Sequence, residues 1–390
     1  MQPDYTPLDD ALGDELDGYL VDADGADSTQ RYLSGFDAPD PYVTCYTPNG
    51  VHLLVSGLEY GRATKDADAA TVARFSDYDF RDRVAKAGRV RGRASVVADF
   101  LADRDVASVA VPARFPLGTA DGLRDEGVTV RVDDDDVVTR IRAVKTDEEV
   151  DHVRHTQRAN ERAMSAAESL IELSTVEDGV LHRDGDPLTS EAVKREIELT
   201  LLHEGCALDE TIVACGADAA DPHDRGSGPL RADEPIVVDI FPRDKETRYH
   251  ADMTRTFLKG EPDPTLREWF DLTDEARRAA LDAVEPGVTG EEVHGAACDV
   301  YEDAGLPTLR TDPGAETGFI HGTGHGVGLD VHELPRVAPD GDELEPGNVI
   351  TIEPGLYDPD VGGVRIEDLV VVTEDGHEDL TEYPVELVVD

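Results

Sequence analysis

Five side chains able to bind a metal ion stand on or beside apolar, strand-like runs in the second half of the chain. They are Asp239 in Ile-Val-Val-Asp-Ile, Asp252 in Ala-Asp-Met-Thr-Arg-Thr-Phe, His325 in a glycine-rich segment, Glu353 in Thr-Ile-Glu-Pro-Gly and Glu367 in Val-Arg-Ile-Glu-Asp. The run around Asp239 is apolar enough to be buried on both faces. A lone carboxylate there costs several kcal/mol in desolvation unless it is paired or bound to metal, so Asp239 calls for a cation. Side chains alternate along a strand, which puts Asp239 on one face with Val237 and Phe241, and Arg365 with Glu367 on a face of another strand. Four carboxylates brought together repel one another, and two divalent cations would relieve that repulsion while supplying hydrolytic chemistry. Four oxygen donors and one imidazole suit manganese, iron or cobalt better than zinc, whose preference leans to nitrogen and sulfur. Taken singly, each acid in so acidic a chain reads as a solvated residue; the set of five carries the inference. The stretch His321-Gly-Thr-Gly-His325-Gly-Val-Gly328 lacks the Gly-Lys-Ser/Thr ending and the preceding strand of a phosphate-binding loop.

Strands over 236–241, 252–258, 349–353 and 364–373 must present these residues, and local signals mark the helices that cover them. Thr146 and Glu149 form a capping box, each satisfying a free N–H of a first helical turn, and apolar residues from Val150 to Ile171 recur at helical spacing to about residue 173. A second helix is expected from Thr189 to about His203, ahead of Gly205. A third opens near Pro264 with Leu266, Phe270, Ala276 and Ala280 on one face, and a fourth opens at the box Thr289/Glu292 and stops at Gly305. Residues 1–142 have a different texture. Apolar runs at 51–55 and 106–111 alternate with helices expected over 67–75 and 94–101, an α/β unit without a metal-binding or nucleophilic cluster. A chain of 390 residues, 39% of them hydrophobic, is too long for one compact core, and the change of texture after Arg142 puts a domain boundary near residue 143.

Charge excludes one class of partner. With 86 acidic and 36 basic residues the formal net charge is -50, which repels nucleic acid. No apolar run approaches a membrane span, and residues 1–25 lack the basic-then-apolar order of a signal peptide, so a soluble, cytoplasmic protein without a membrane partner is expected. Cys45, Cys206, Cys215 and Cys298 are scattered without CxxC spacing, which speaks against a disulfide framework or a thiolate zinc site. Only six of the basic residues are lysine. Such a surface repels itself in dilute buffer and is screened in concentrated salt, where the Debye length falls to about 3 Å near 1 M. The composition resembles that of a halophilic cytoplasm.

Taken together and in order, Ile-Val-Val-Asp239-Ile, Ala-Asp252-Met-Thr-Arg-Thr-Phe, His-Gly-Thr-Gly-His325-Gly-Val-Gly-Leu-Asp-Val-His332-Glu, Thr-Ile-Glu353-Pro-Gly and Gly-Val-Arg-Ile-Glu367-Asp resemble the pita-bread metallopeptidases, in their prolidase and aminopeptidase P branch. The resemblance is strong over residues 140–390. It is weaker at Arg31-Tyr-Leu-Ser-Gly-Phe36 and 53–62, which look like the family's N-terminal domain. It implies an α+β fold, with a curved antiparallel sheet covered by helices over 143–390 and a smaller α/β domain over 1–142. It also implies metal-dependent hydrolysis of the peptide bond preceding proline, as an Xaa-Pro dipeptidase or aminopeptidase acting on small peptides with proline second. The reaction would use hydroxide activated by two divalent ions, Mn2+ first, with Co2+, Fe2+ or Zn2+ as alternatives.

Carried over by position, Asp252 and Glu367 would bridge the metals, Asp239 would complete one site, and His325 with Glu353 would complete the other. Glu353 would also act as general base. His332 and His223 would be the catalytic histidines on the substrate side, His321 would line the proline pocket and Arg365 would stand beside the bridging glutamate. A homodimer is implied as well. Two other readings share the fold: a hydrolase with a substrate other than Xaa-Pro, and a non-catalytic binding protein, which would have shed ligands. The chain departs from the family pattern in two ways. Asp239 and Asp252 are thirteen residues apart, two more than the pattern has, and Phe241-Pro242-Arg243 replaces a glycine. An insertion of two preserves strand parity if the extra residues sit in a turn around 245–248.

Overall fold

The computed structural model describes residues 3–390. They divide into two compact units, one ending at Arg142 and the other spanning Ala143–Asp390. The first is a mixed six-stranded sheet of β1 (Gly18–Ala23), β2 (Tyr42–Thr47), β3 (Gly50–Val55), β4 (Thr71–Arg74), β5 (Ser108–Val111) and β6 (Thr129–Val132), in the order β4-β3-β2-β1-β5-β6. Alternation along the strands divides its apolar residues between two cores. Leu20, Val43 and Cys45 meet Val96 and Phe100 of the helix Arg89–Ala102 on one face, while Tyr19, Val21 and Tyr42 meet Leu8 and Phe36 on the other. The helix expected over 67–75 is not there. The helix Tyr60–Asp66 ends before it, and Thr71–Arg74 is a strand paired in parallel with β3 from His52↔Thr71 to Val55↔Arg74. The free edge of β3 and the β-branched pair Thr71-Val72 outweigh the helical spacing.

In the second unit the helices start where their caps stand. Glu149 Oε2 accepts the N–H of Thr146 at 2.8 Å, and α1 (Asp147–Glu172) begins on that box. Thr189 caps α2 (Ser190–His203), Asp263 caps α3 (Pro264–Asp282), and the Thr289/Glu292 box opens α4 (Gly290–Asp303). The first two helices cover an antiparallel sheet of β7 (Thr211–Cys215), β8 (Ile236–Ile240) and β9 (Met253–Phe257). There Ala163, Met164 and Ile197 pack on Val213, Val238, Ile240 and Met253. The rest of the unit is β10 (Gly324–Gly326), β11 (Glu333–Val337), β12 (Val349–Ile352), the hairpin β13 (Gly355–Asp358) with β14 (Gly362–Arg365), then β15 (Asp368–Thr373) and β16 (Gly376–Asp379). Five of these form the antiparallel sheet β11-β10-β12-β15-β16. Leu266, Phe270 and Val293 of α3 and α4 pack on its Ile350, Ile352, Val370 and Val372. Strand residues of the other parity point away from the helices.

The single strand expected over 364–373 is broken. At 366–367 the chain leaves its partner β13 and joins β12, because the Glu367 N–H donates to the Thr254 carbonyl at 3.0 Å and its own carbonyl accepts from Arg255 Nη1 at 2.6 Å. Among the described residues no helix is long and apolar enough to cross a membrane.

Candidate metal centre

Register places the first carboxylates. In β8, Asp239 lies opposite Ile212 of β7 and Thr254 of β9, so all three face away from the helices, and Asp252, two residues before Thr254, falls on that face too. The long connection between the two aspartates does not disturb this. Pairing runs unbroken from Ile236↔Phe257 to Ile240↔Met253, Arg243 bridges to His250, and the extra chain turns over 245–248. That turn is held by Asp244 Oδ1, which accepts the N–H groups of Glu246 and Thr247 at 2.9 and 2.7 Å, and by Arg248 at a φ of 72°. Glu367 arrives from the break in the strand, its Oε2 accepting from Thr254 Oγ1 at 2.7 Å. One hydroxyl sets the remaining two residues: Thr351 Oγ1 accepts the His325 N–H at 3.0 Å and donates to Glu353 Oε1 at 3.2 Å. Gly324 allows the close approach, since a Cβ there would lie 1.9 Å from the Thr351 carbonyl oxygen.

The side chains meet. Ligand atoms of Asp252, His325 and Glu367 all lie within 4.8 Å of one another, and His325 Nε2 stands 3.3 Å from Glu353 Oε1. The Nδ1 of His325 lies 3.1 Å from the Gly326 carbonyl and donates its proton there; Nε2 faces the carboxylates, protonated towards Glu353 without metal and offering its lone pair once an ion takes the proton's place. Arg365 Nη2 donates to Asp239 Oδ2 at 2.6 Å. Two buried oxygens, Asp239 Oδ1 and Glu367 Oε1, have no hydrogen-bond partner at all. Burial first, and then the neighbouring carboxylates, push Asp252 and Glu367 well above the ordinary acid range; burial also raises Asp239, against the pull of Arg365. Burial works to raise Glu353 too, but the hydrogen bond and charge of His325 outweigh it and hold it at about 2. Buried anionic oxygens in excess of their donors, with an imidazole nitrogen among them, fit divalent cations, which would satisfy the orphaned oxygens and favour the ionised carboxylates.

A cavity of about 680 Å³ opens on this cluster, and His223, His321, His332 and Arg365 line it with the five carboxylate and imidazole residues. The ring of His332 stands edge-on to His325 at 4.3 Å, and burial, then the charge of His325, lowers its pKa. His223 is exposed at the cavity wall, in the turn after Ala220. Burial also lowers His321, and both of its nitrogens are engaged, Nδ1 with the Gly322 carbonyl at 2.7 Å and Nε2 with the Tyr357 hydroxyl at 2.9 Å. Sequence reasoning missed the residues that join these groups. Tyr357 Oη accepts from Arg365 Nη1 at 3.1 Å, and the same nitrogen reaches the Pro222 carbonyl beside His223 at 3.2 Å. Thr254 and Thr351 are the shared hydroxyls, and Arg336 is a further cavity residue. For the threonines a signal was available, since each sits two residues from a candidate ligand and is therefore on its face. For Tyr357 there was none.

Helix-covered antiparallel sheets that gather buried carboxylates and an imidazole on their open side define a metal-dependent hydrolase of the pita-bread architecture. The chain belongs to metallopeptidase family M24, whose sequence model matches residues 151–374. It is 37% identical over 281 residues to the probable dipeptidase PepE of Mycobacterium tuberculosis, covering 72% of this chain and 68% of that one. It is 33% identical over 258 residues to the Xaa-Pro dipeptidase of Pyrococcus furiosus, covering 65% and 67%. In structure it is similar to the Xaa-Pro dipeptidase from Bacillus anthracis, with a TM-score of 0.81 and 25% identity over 98% of both chains.

Proposed function

We propose that the chain hydrolyses the peptide bond before proline in small peptides, as an Xaa-Pro dipeptidase or aminopeptidase. Asp239, Asp252, His325, Glu353 and Glu367 would hold two divalent ions. The observation that carries this reading is the cluster of Asp252, His325 and Glu367 together with two orphaned oxygens, Glu367 Oε1 in it and Asp239 Oδ1 on the same cavity. When bound, the ions supply Lewis acidity at the scissile carbonyl and lower the pKa of water towards ~7. Glu353, ionised and with Oε1 tied to Thr351, takes the proton of the attacking water on Oε2. Neutral His332 donates an N–H to the charge that develops on the carbonyl oxygen, and His223 passes a proton to the leaving nitrogen. Proline offers no N–H in a peptide bond, so shape must select it. His321, with both nitrogens already occupied, presents the flat, apolar part of its ring, and Tyr357 and Arg365 hold it there.

Manganese, cobalt or iron suits the donor set, with zinc as a further candidate. The names of the similar proteins support the Xaa-Pro assignment, and the acidic composition supports work in concentrated salt inside a cell, by a homodimer in the pattern of the family. Chelator treatment in high salt should abolish cleavage of Xaa-Pro dipeptides and longer Xaa-Pro peptides, and added Mn2+ or Co2+ should restore it. Cleavage that ignores the chelator refutes the proposal.

A further inference from the structure

The cavity has an apolar strip that hydrolysis alone does not use. Ile212 and Phe241 line it beside Asp239, and Val331 joins them from the residue before His332. The strands dictate this: Ile212 lies directly across from Asp239, and Phe241 follows Asp239 by two residues on the same side. The other phenylalanines of this unit, Phe257, Phe270 and Phe319, are 1%, 6% and 1% exposed within its two main cores. Phe241 is in neither core and is only half-buried. Beyond it, Glu210 and Arg225 pair on the rim, so polar groups edge the strip on its outer side.

Register also fixes which end of the cavity this is. Arg365 is anchored by its N–H to Thr256 Oγ1 at 3.0 Å, and Thr256 is the partner of Val237. The Arg365 backbone therefore lies at the Val237 end of β8 and its side chain runs up to Asp239, holding Tyr357 and through it His321 on that side, while Phe241 stands two residues beyond Asp239 on the other. A substrate with its proline against His321 has the preceding residue at the Phe241 end.

We propose that Phe241, with Ile212 and Val331, is the specificity-determining wall for the residue before proline, and that it selects large apolar side chains over glycine by covering them from water. This rests on the Xaa-Pro reading above. The test compares Gly-Pro, Ala-Pro, Leu-Pro and Phe-Pro on the metal-loaded wild type, Phe241→Ala and Phe241→Leu. In the wild type kcat/KM should rise about ten- to hundredfold from Gly-Pro to Leu-Pro, and Phe241→Ala should lose that span through KM while keeping Gly-Pro within about threefold. Phe241→Leu should keep most of it. Calorimetry with free leucine and free glycine gives a readout without turnover: the wild type should favour leucine, and Phe241→Ala should not. A flat wild-type profile, or one that Phe241→Ala leaves unchanged, overturns the inference. If no Xaa-Pro peptide is cleaved, the functional reading fails, and the leucine and glycine affinities decide this inference by themselves.

Discussion

Consecutive residues on neighbouring strands sort the buried charge of the catalytic unit into two layers that behave oppositely. Thr254 and Glu367 face the cavity, while Arg255 and Asp368, one residue further on, face the other way. In the outward layer every donor finds an acceptor. Arg255, 2% exposed, reaches the carbonyls of Thr254, Glu367, Tyr383 and Pro384 and the Asp368 carboxylate, at distances from 2.6 to 3.0 Å. Arg277 takes the second oxygen of Asp368 and is itself tied to Asp274. The cavity layer holds four carboxylates against Arg365 and His325, and two of its oxygens are left without a donor. Buried charge with complete partners supports a fold, whereas buried acceptors in surplus await a cation.

The sharpest break of that comparison is Glu353→Gln, which leaves shape and hydrogen-bonding capacity but takes away the base. Turnover on an Xaa-Pro dipeptide should fall by about 10²–10⁴. The fold should be kept at a cost of about 1–2 kcal/mol in chelator, because the amide retains the Thr351 bond but gives up the charge that His325 pairs with. Unchanged turnover removes Glu353 from the reaction. The opposite behaviour is expected one layer away. Arg255→Met takes one of its two arginine partners from the Asp368 carboxylate and a donor from each of four carbonyls, and should cost about 3–5 kcal/mol of stability, read from urea unfolding with and without metal. A loss below about 1 kcal/mol would show that the two layers do not differ as described.

What could be read from the chain in advance follows the reach of the signal. Capping boxes at Thr146/Glu149 and Thr289/Glu292 act over three residues, and both helices begin on them. An acid inside an apolar run is also a local anomaly, which is why the residues lining the cavity could be picked out as candidates. Contacts between distant segments could not be read in the same way. The strand at Thr71–Arg74 depends on the edge of β3, the break at 366–367 depends on Arg255 over a hundred residues earlier, and Tyr357 gains its role only from Arg365 and His321. In each case the deciding partner is one that periodicity cannot name.

The subtlest consequence of the surplus is its pH dependence. Burial and neighbouring carboxylates raise Asp252 and Glu367 above their unfolded values, so the folded, metal-free protein binds more protons than the unfolded chain. The stability those protons provide is full below the unfolded range near pH 4 and is lost as pH rises through the raised values. Urea unfolding in chelator, at constant high salt, should therefore show this contribution shrinking from acid towards neutral pH. With metal the trend reverses, because the ions bind the deprotonated carboxylates and add more stability as pH rises. Glu367→Gln removes one of the charges and relieves Asp252 of the neighbouring carboxylate that raises it most, so the metal-free slope should flatten and the response to metal should shrink. Identical slopes in wild type and variant would mean that the cavity carboxylates are solvated and paired like those of the outward layer, and the contrast between the layers would fail at its base.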